Sequence, residues 1–132
     1  MDSTSIELPG SKIAAVNVTG ETIRIEFEPA YLIKNMTGSV ERTRWWQDGA
    51  LVFEGAELDA DSPLPELPAE CGGGDVGENI YTYRDMIPVP LESRGRAHCA
   101  LKVGDRMIRV SASAVHLDMR GTPRYIEHLR PA

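Results

Sequence analysis

Residues 97–112 read AHCALKVGDRMIRVSA and contain the clearest β-hairpin signal in the chain. Gly104-Asp105 suits a type II′ turn, which takes glycine at its first central position. Pairing the flanking residues about this turn sorts the side chains into an apolar face and a mostly polar face. The predicted apolar pairs are Leu101 with Ile108, Cys99 with Val110, and Ala97 with Ala112. The predicted pairs on the other face are Lys102 with Met107, Ala100 with Arg109, and His98 with Ser111.

Two more hairpins are predicted upstream of this one. Apolar residues alternate on both sides of Thr19-Gly20, which predicts a first hairpin over residues 14–28. Asp48-Gly49 is a preferred type I′ turn pair, so residues 44–53 are predicted to form a second hairpin. The predicted cross-strand pairs are Val16 with Ile23, Ala14 with Ile25, Trp46 with Leu51, and Trp45 with Val52.

The rest of the chain is less regular. Residues 59–79 combine Pro63, Pro65 and Pro68 with three consecutive glycines, which predicts a long acidic Pro/Gly-rich loop. A phase change in the apolar alternation predicts a β-bulge near residues 112–114. Tyr125 and Leu129, four residues apart, predict a final helical turn.

These signals together predict the fold class. Several short strands separated by turns indicate a mostly β fold, a small antiparallel barrel or sandwich built from hairpins. At most one or two short helical turns are expected. The length of 132 residues fits a single domain over residues 1–132.

Composition excludes several classes of function. The formal net charge of −6 argues against nucleic acid and against an anionic membrane surface as partners. The N-terminus lacks the basic and apolar regions of a secretory signal, and no apolar run is long enough to span a membrane. Two cysteines, Cys71 and Cys99, do not make a disulfide framework. A cytoplasmic location is therefore expected.

The charge is unevenly distributed along the sequence. Between Trp45 and Tyr83 there are nine acidic residues and no Lys or Arg. From Arg84 to the end, nine arginines and lysines outnumber five acidic residues. One interpretation is that the acidic loop folds back over the basic C-terminal strands and neutralises their arginines. The other is that it docks on a basic partner. The arginines in question are Arg94, Arg96, Arg106 and Arg109.

The motifs that could carry chemistry are weak. Residues 72–77 match the dinucleotide glycine pattern, but the strand before it and the helix after it are missing from the sequence pattern. Acidic neighbours of Cys71 disfavour a thiolate nucleophile. His116 and Asp118 supply two metal ligands where three are needed. Asp59, Asp61 and Glu70 have part of a calcium-loop spacing that Pro63 and Leu64 interrupt. No catalytic residue, cofactor or metal is therefore predicted.

The leading hypothesis is a non-catalytic domain that binds a basic protein or peptide through the acidic loop and the tryptophan hairpin. A small β-barrel that binds an apolar molecule is the first alternative, and an enzyme of unrecognised type is the second. The sequence leaves the oligomeric state open. The candidate partner-binding residues are Trp45, Trp46, Asp59, Asp61, Glu66 and Asp75.

Overall fold

The computed structural model describes residues 2–38 and 40–129, which form strands and connecting segments without a helix. All strand pairs are antiparallel and belong to one sheet of eleven strands. The strands are β1 (Ser3–Glu7), β2 (Lys12–Thr19), β3 (Thr22–Asn35), β4 (Arg42–Glu54), β5 (Glu57–Leu58), β6 (Ala69–Glu70), β7 (Gly73–Glu78), β8 (Tyr81–Arg84), β9 (Met86–Val89), β10 (Glu92–Val103) and β11 (Arg106–Leu129). The prediction of a mostly β fold is therefore confirmed.

The sheet curls into a half-barrel in the order β6-β2-β3-β4-β11-β10-β7-β8. β1 adds to the far half of β3, and β9 pairs with β1. Residues 69–78 link the two ends of the curled sheet, because β6 pairs with β2 and β7 pairs with β10. Between them the Cys71 amide donates to the Ser11 carbonyl (2.7 Å) and the Gly72 amide to the Lys102 carbonyl (2.7 Å).

The β10–β11 hairpin has the predicted register. All six predicted pairs from Ala97–Ala112 to Lys102–Met107 are present, and Gly104 has the positive φ of +62° that the turn requires. The ladder is irregular next to residues 112–114, as predicted. The extra residue lies in β10, between Arg94 and Ala97, and not in β11.

The β2–β3 hairpin is confirmed, but its predicted register is wrong by two residues. Val16 lies opposite Ile25, and Val18 lies opposite Ile23. The turn residues are Gly20 and Glu21, because Thr19 pairs directly with Thr22. Gly20 has a φ of +60°, so the glycine takes the first central position, as it does in the β10–β11 turn.

The predicted hairpin at Asp48-Gly49 is wrong. These two residues lie inside β4, which runs without a turn from Arg42 to Glu54 between β3 and β11. Trp45 and Trp46 pair with Tyr125 and Arg124 of β11, and not with Val52 and Leu51. The predicted final helical turn is also wrong, because β11 continues to Leu129.

The predicted loop at residues 59–79 is only partly a loop. Residues 59–68 have no strand pairing, whereas residues 73–78 form β7, which is hydrogen-bonded to β10 and β8. Glycine-rich sequence is compatible with a strand where another backbone passes close by. Gly74 is such a position, since a Cβ there would overlap the Ala100 carbonyl.

Side chains fill the concave face of the sheet. One apolar cluster combines residues from β1, β2, β3, β4, β7, β9, β10 and β11. Its largest fully buried members are Phe27, Phe53, Ile6, Leu8, Ile13, Ile23, Ile25, Leu32, Leu51, Ile87, Leu101 and Ile108. Because the concave face is filled, the candidate binding surfaces are the outer face of the sheet and its edges.

Candidate functional site

The six predicted site residues do not form one surface. Trp45 and Trp46 lie near the start of β4, whereas Asp59, Asp61 and Glu66 follow β5, beyond the other end of β4. Glu54 lies nine positions after Trp45 along β4, which corresponds to about 30 Å of extended strand. The turn expected at Asp48-Gly49 is absent, and β4 carries the tryptophans away from the acidic residues.

We call residues 57–66 the acidic segment, because this stretch carries the acidic candidate residues that follow β4. Several backbone contacts fix this segment to β11. β5 pairs with Val110 and Ser111, and the Asp59 amide donates to the Arg109 carbonyl (3.1 Å). Further along, the Arg106 guanidinium donates to the Leu64 carbonyl (2.7 Å). The acidic segment therefore follows the outer edge of the β10–β11 hairpin.

Internal contacts and apolar anchors stabilise the acidic segment further. The Asp59 carboxylate accepts a hydrogen bond from the Asp61 amide (2.9 Å), and the Ser62 amide donates to the Asp59 carbonyl (3.1 Å). Leu58 and Leu64 pack against the apolar cluster. Because Asx turns and apolar contacts restrict the backbone, the carboxylates stand on an ordered support.

The carboxylates of the acidic segment make no ion pair within the described part of the chain, and all four residues are exposed. The four are Glu57, Asp59, Asp61 and Glu66. Arg94, Arg96 and Arg109 likewise have no ion-pair partner among residues 2–38 and 40–129. The acidic segment does fold against the basic hairpin, but through backbone pairing, apolar contacts and the hydrogen bond from Arg106 to the Leu64 carbonyl rather than through ion pairs between its carboxylates and arginine.

Two adjoining depressions lie beside the acidic segment, on the outer face of β10 and β11. One has a volume of about 660 Å³ and the other of about 540 Å³, and both are lined by Glu57, His98 and Ser111. The His98 ring lies over Gly77 of β7, where a Cβ would overlap it. Arg96 borders the first depression, and Arg109 borders the second.

The row Glu57–Ser111–His98 runs across three neighbouring strands. It has the residue types of an acyl-transfer site in the wrong order, because the histidine would have to lie between the serine and the carboxylate. No hydrogen bond joins these side chains in the described structure. The row therefore does not form a nucleophile–base pair.

The two tryptophans are half-buried, and each has a cation of the same chain over its ring. Lys34 Nζ lies 4.2 Å from the ring centroid of Trp45, whose Nε1 donates to Thr43 Oγ1 (2.8 Å). Tyr125 contacts Trp45 edge-on with centroids 5.4 Å apart, and the Arg124 guanidinium lies 5.6 Å from the Trp46 centroid. These contacts hold the indoles against the side chains of the neighbouring strands.

The remaining candidates are also placed by the structure. Asp75 lies in β7 and pairs with Arg84 (3.2 Å), apart from the acidic segment. Burial raises the pKa of the Cys71 thiol and raises the pKa of Cys99 to about 12, so both cysteines stay protonated at neutral pH. Asp118 pairs with Arg24 (2.9 Å), and the described residues contain no group of three potential metal ligands.

Sequence reasoning missed the depressions beside the acidic segment. It paired His98 with Ser111 correctly, but it did not place Glu57 next to them, because a strand of two residues leaves no periodic signal. No protein-family model, curated protein or solved structure matches this chain. Within the described residues, no helix has the length and hydropathy needed to cross a membrane.

Proposed function

We propose that this protein is a non-catalytic binding module that captures a basic segment of another protein along the acidic segment. One observation carries the proposal: four exposed carboxylates, without ion-pair partners among residues 2–38 and 40–129, stand on a segment that hydrogen bonds and leucines hold in place. An ordered binding surface loses less conformational entropy on association than a mobile loop does. Opposite charge then accelerates the encounter with a basic partner.

The two depressions extend the proposed surface from the acidic segment onto the outer face of β10 and β11. A basic side chain that pairs with Glu57 or Asp59 places its neighbours over these depressions, where Arg96 and Arg109 disfavour further basic side chains and favour uncharged ones. Burial of those neighbours would slow dissociation, whereas charge at the rim of an interface acts mainly on the association rate. Trp45 and Trp46 are not part of the proposed surface, since they lie near the start of β4, whereas the acidic segment follows its other end.

The two alternatives find less support in the structure. A barrel that binds an apolar molecule needs an apolar cavity, whereas the concave face carries a packed cluster that includes Phe27 and Phe53. An enzyme needs positioned reactive groups, whereas burial keeps Cys71 and Cys99 as thiols, and His98 makes no hydrogen bond to a nucleophile among the described side chains.

The test compares two variants with the same change in charge. The first is Asp59→Asn, Asp61→Asn and Glu66→Gln. In this variant the side-chain oxygen at position 59 can still accept a hydrogen bond from the backbone amide of residue 61. The control is Asp48→Asn, Glu54→Gln and Glu92→Gln, which neutralises three acids outside the acidic segment. Binding of a synthetic Lys/Arg-rich peptide is measured by surface plasmon resonance at low and high salt.

The first variant is expected to associate with the peptide about tenfold more slowly than wild type at low salt, and the control is expected to change little. The difference between the first variant and wild type is expected to shrink at high salt, because salt screens exposed charges. Equal association rates for wild type and both variants would refute the proposal. A loss of thermal stability in the first variant alone would indicate that these acids serve the fold.

A further inference from the structure

The outer edge of β2 is an unpaired strand edge. β3 lies on one side of β2, while on the other side β6 pairs only with Lys12 and Ile13. Ala14–Thr19 thus has no backbone hydrogen bond on that side in the described structure. Thr19 and Thr22 flank a two-residue turn and form its hydrogen-bonded pair. The amides and carbonyls of Val16 and Val18, which alternate with that pair, therefore point toward the free edge.

This edge lacks the features that normally prevent strands from associating. Residues 14–19 contain no charged residue and no proline. β11 also has an unpaired edge over residues 118–129, but Pro123 and two register shifts interrupt it. Along β2 the single irregularity lies between Ile13 and Ala15, at the beginning of the free stretch.

The side chains along the edge are apolar and incompletely covered. Val16 and Val18 lie opposite Ile25 and Ile23, so all four side chains project from the same face of the sheet, and Val16 packs against the apolar cluster that contains the two isoleucines. Ile23 and Ile25 are almost fully buried, yet Val18 is 54% exposed, because the sheet ends beside it. A further strand along this edge would cover Val18 and satisfy the free backbone groups.

We infer that a second copy of this chain supplies that strand, so that two β2 strands pair antiparallel about a two-fold axis near Asn17. In this register Val16 of one copy pairs with Val18 of the other, which keeps the core-facing sides of both copies on one face of the joined sheet. The charges at the ends of β2 support a second copy as the occupant. Antiparallel pairing brings the Gly20-Glu21 turn of each copy to the end of the other copy's free stretch, close to Lys12, which lies opposite Glu70 of its own β6. Neither Lys12 nor Glu21 makes an ion pair within its own described chain. The inference is independent of the proposed function, because the acidic segment does not pair with β2.

The experiment measures the mass of the full chain by sedimentation equilibrium over a range of concentrations. Wild type is expected to shift from one chain to two. Val18→Pro removes one outward amide per copy and leaves the ladder to β3 intact, so it is expected to raise the dissociation constant about tenfold or more. Val18→Thr keeps that amide and a β-branched side chain, and it serves as the matched control.

A charge swap makes the test independent of any effect of proline on folding. Lys12→Glu alone is expected to weaken the dimer, and Lys12→Glu combined with Glu21→Lys is expected to restore it. The inference is overturned if wild type remains a monomer at about 1 mM. It is also overturned if wild type dimerises and none of these substitutions alters the dissociation constant. A strand of a different protein as the natural occupant would appear as a monomeric wild type, which again overturns it.

Discussion

Gly104 and Gly49 each stand beside an aspartate, yet Gly104 lies in a turn and Gly49 lies in the middle of β4. At Gly104 the φ of +62° is the reason for glycine, and an added Cβ would meet no atom within 4 Å. At Gly49 the reason is space, because an added Cβ would lie 2.6 Å from Met119 Sδ and 3.1 Å from the Asp118 carbonyl. The first glycine serves a backbone conformation, and the second allows two strands to approach each other.

The residues around the two glycines explain the different outcomes. On both sides of Gly104 the apolar residues occupy one face, as in a hairpin whose other face contacts solvent. Around Gly49 both faces are apolar, and Ala50, Leu51, Val52 and Phe53 are all buried. A strand that is buried on both faces is typical of the interior of a sheet. β4 accordingly has β3 on one side and β11 on the other.

The largest expected effect tests the hairpin side of this comparison. Ile108→Ala should lower the free energy of unfolding by about 2–5 kcal/mol, because Ile108 is fully buried opposite Leu101. Urea denaturation monitored by tryptophan fluorescence measures the change. Arg109→Ala, on the exposed face, is the control and should change stability by about 0.5 kcal/mol or less. Equal effects at both positions would contradict the register of the hairpin.

A smaller effect is expected at Gly49. Gly49→Val should lower the free energy of unfolding by about 1–3 kcal/mol, because the new side chain displaces Met119 and crowds the Asp118 carbonyl. Gly104→Asn is the matched control, because asparagine tolerates positive φ and the turn has free space. The same denaturation assay applies. A larger loss for Gly104→Asn than for Gly49→Val would reverse the roles that the structure gives to the two glycines.

Local signals predicted the β10–β11 hairpin with its register and the β2–β3 hairpin with a register two residues off, and they failed at β4, where distant strands decide the structure. The register of the β10–β11 hairpin follows from its own residues, because its two strands are adjacent in sequence. The partners of β4 and β7 come from distant segments, which neither Asp48-Gly49 nor the three glycines could indicate. The acidic segment was recognised as charged, but its attachment to β11 depends on long-range contacts. The separation of the tryptophans from the acidic residues was missed for the same reason, because β4 continues through Asp48-Gly49.

The smallest expected effect concerns the ion pairs that Glu26 makes with Arg24 and Arg120 next to β4, close to Gly49. Within the described residues, the β10–β11 turn has no such ion pairs. Burial raises the pKa of Glu26, but hydrogen bonds from Arg24 and Arg120 (3.0 Å each) outweigh it, so the net pKa lies below its ordinary value of 4.5. A lowered folded-state pKa stabilises the fold above the ordinary pKa, and this contribution disappears as the pH falls through the folded value.

Glu26→Gln should therefore be less stable than wild type at pH 7, and the difference in urea midpoint should narrow as the solution is acidified. Glu28→Gln is the control, since that carboxylate is 55% exposed and lies 3.7 Å from Arg120. It should show little difference from wild type at either pH. A midpoint difference for Glu26→Gln that is independent of pH would exclude these ion pairs as its cause.

The position of β11 in the sheet has a consequence for biosynthesis. β11 is the last strand of the described residues, yet it lies between β4 and β10 and pairs with β4 over most of its length. On the ribosome, β4 therefore emerges long before its second neighbour, and the edge that β11 will occupy stays unpaired. Contacts between segments so far apart in sequence form slowly, and exposed edges of this kind promote aggregation. Nascent chains whose residues 106–129 have not yet left the ribosome are therefore expected to be prone to aggregation.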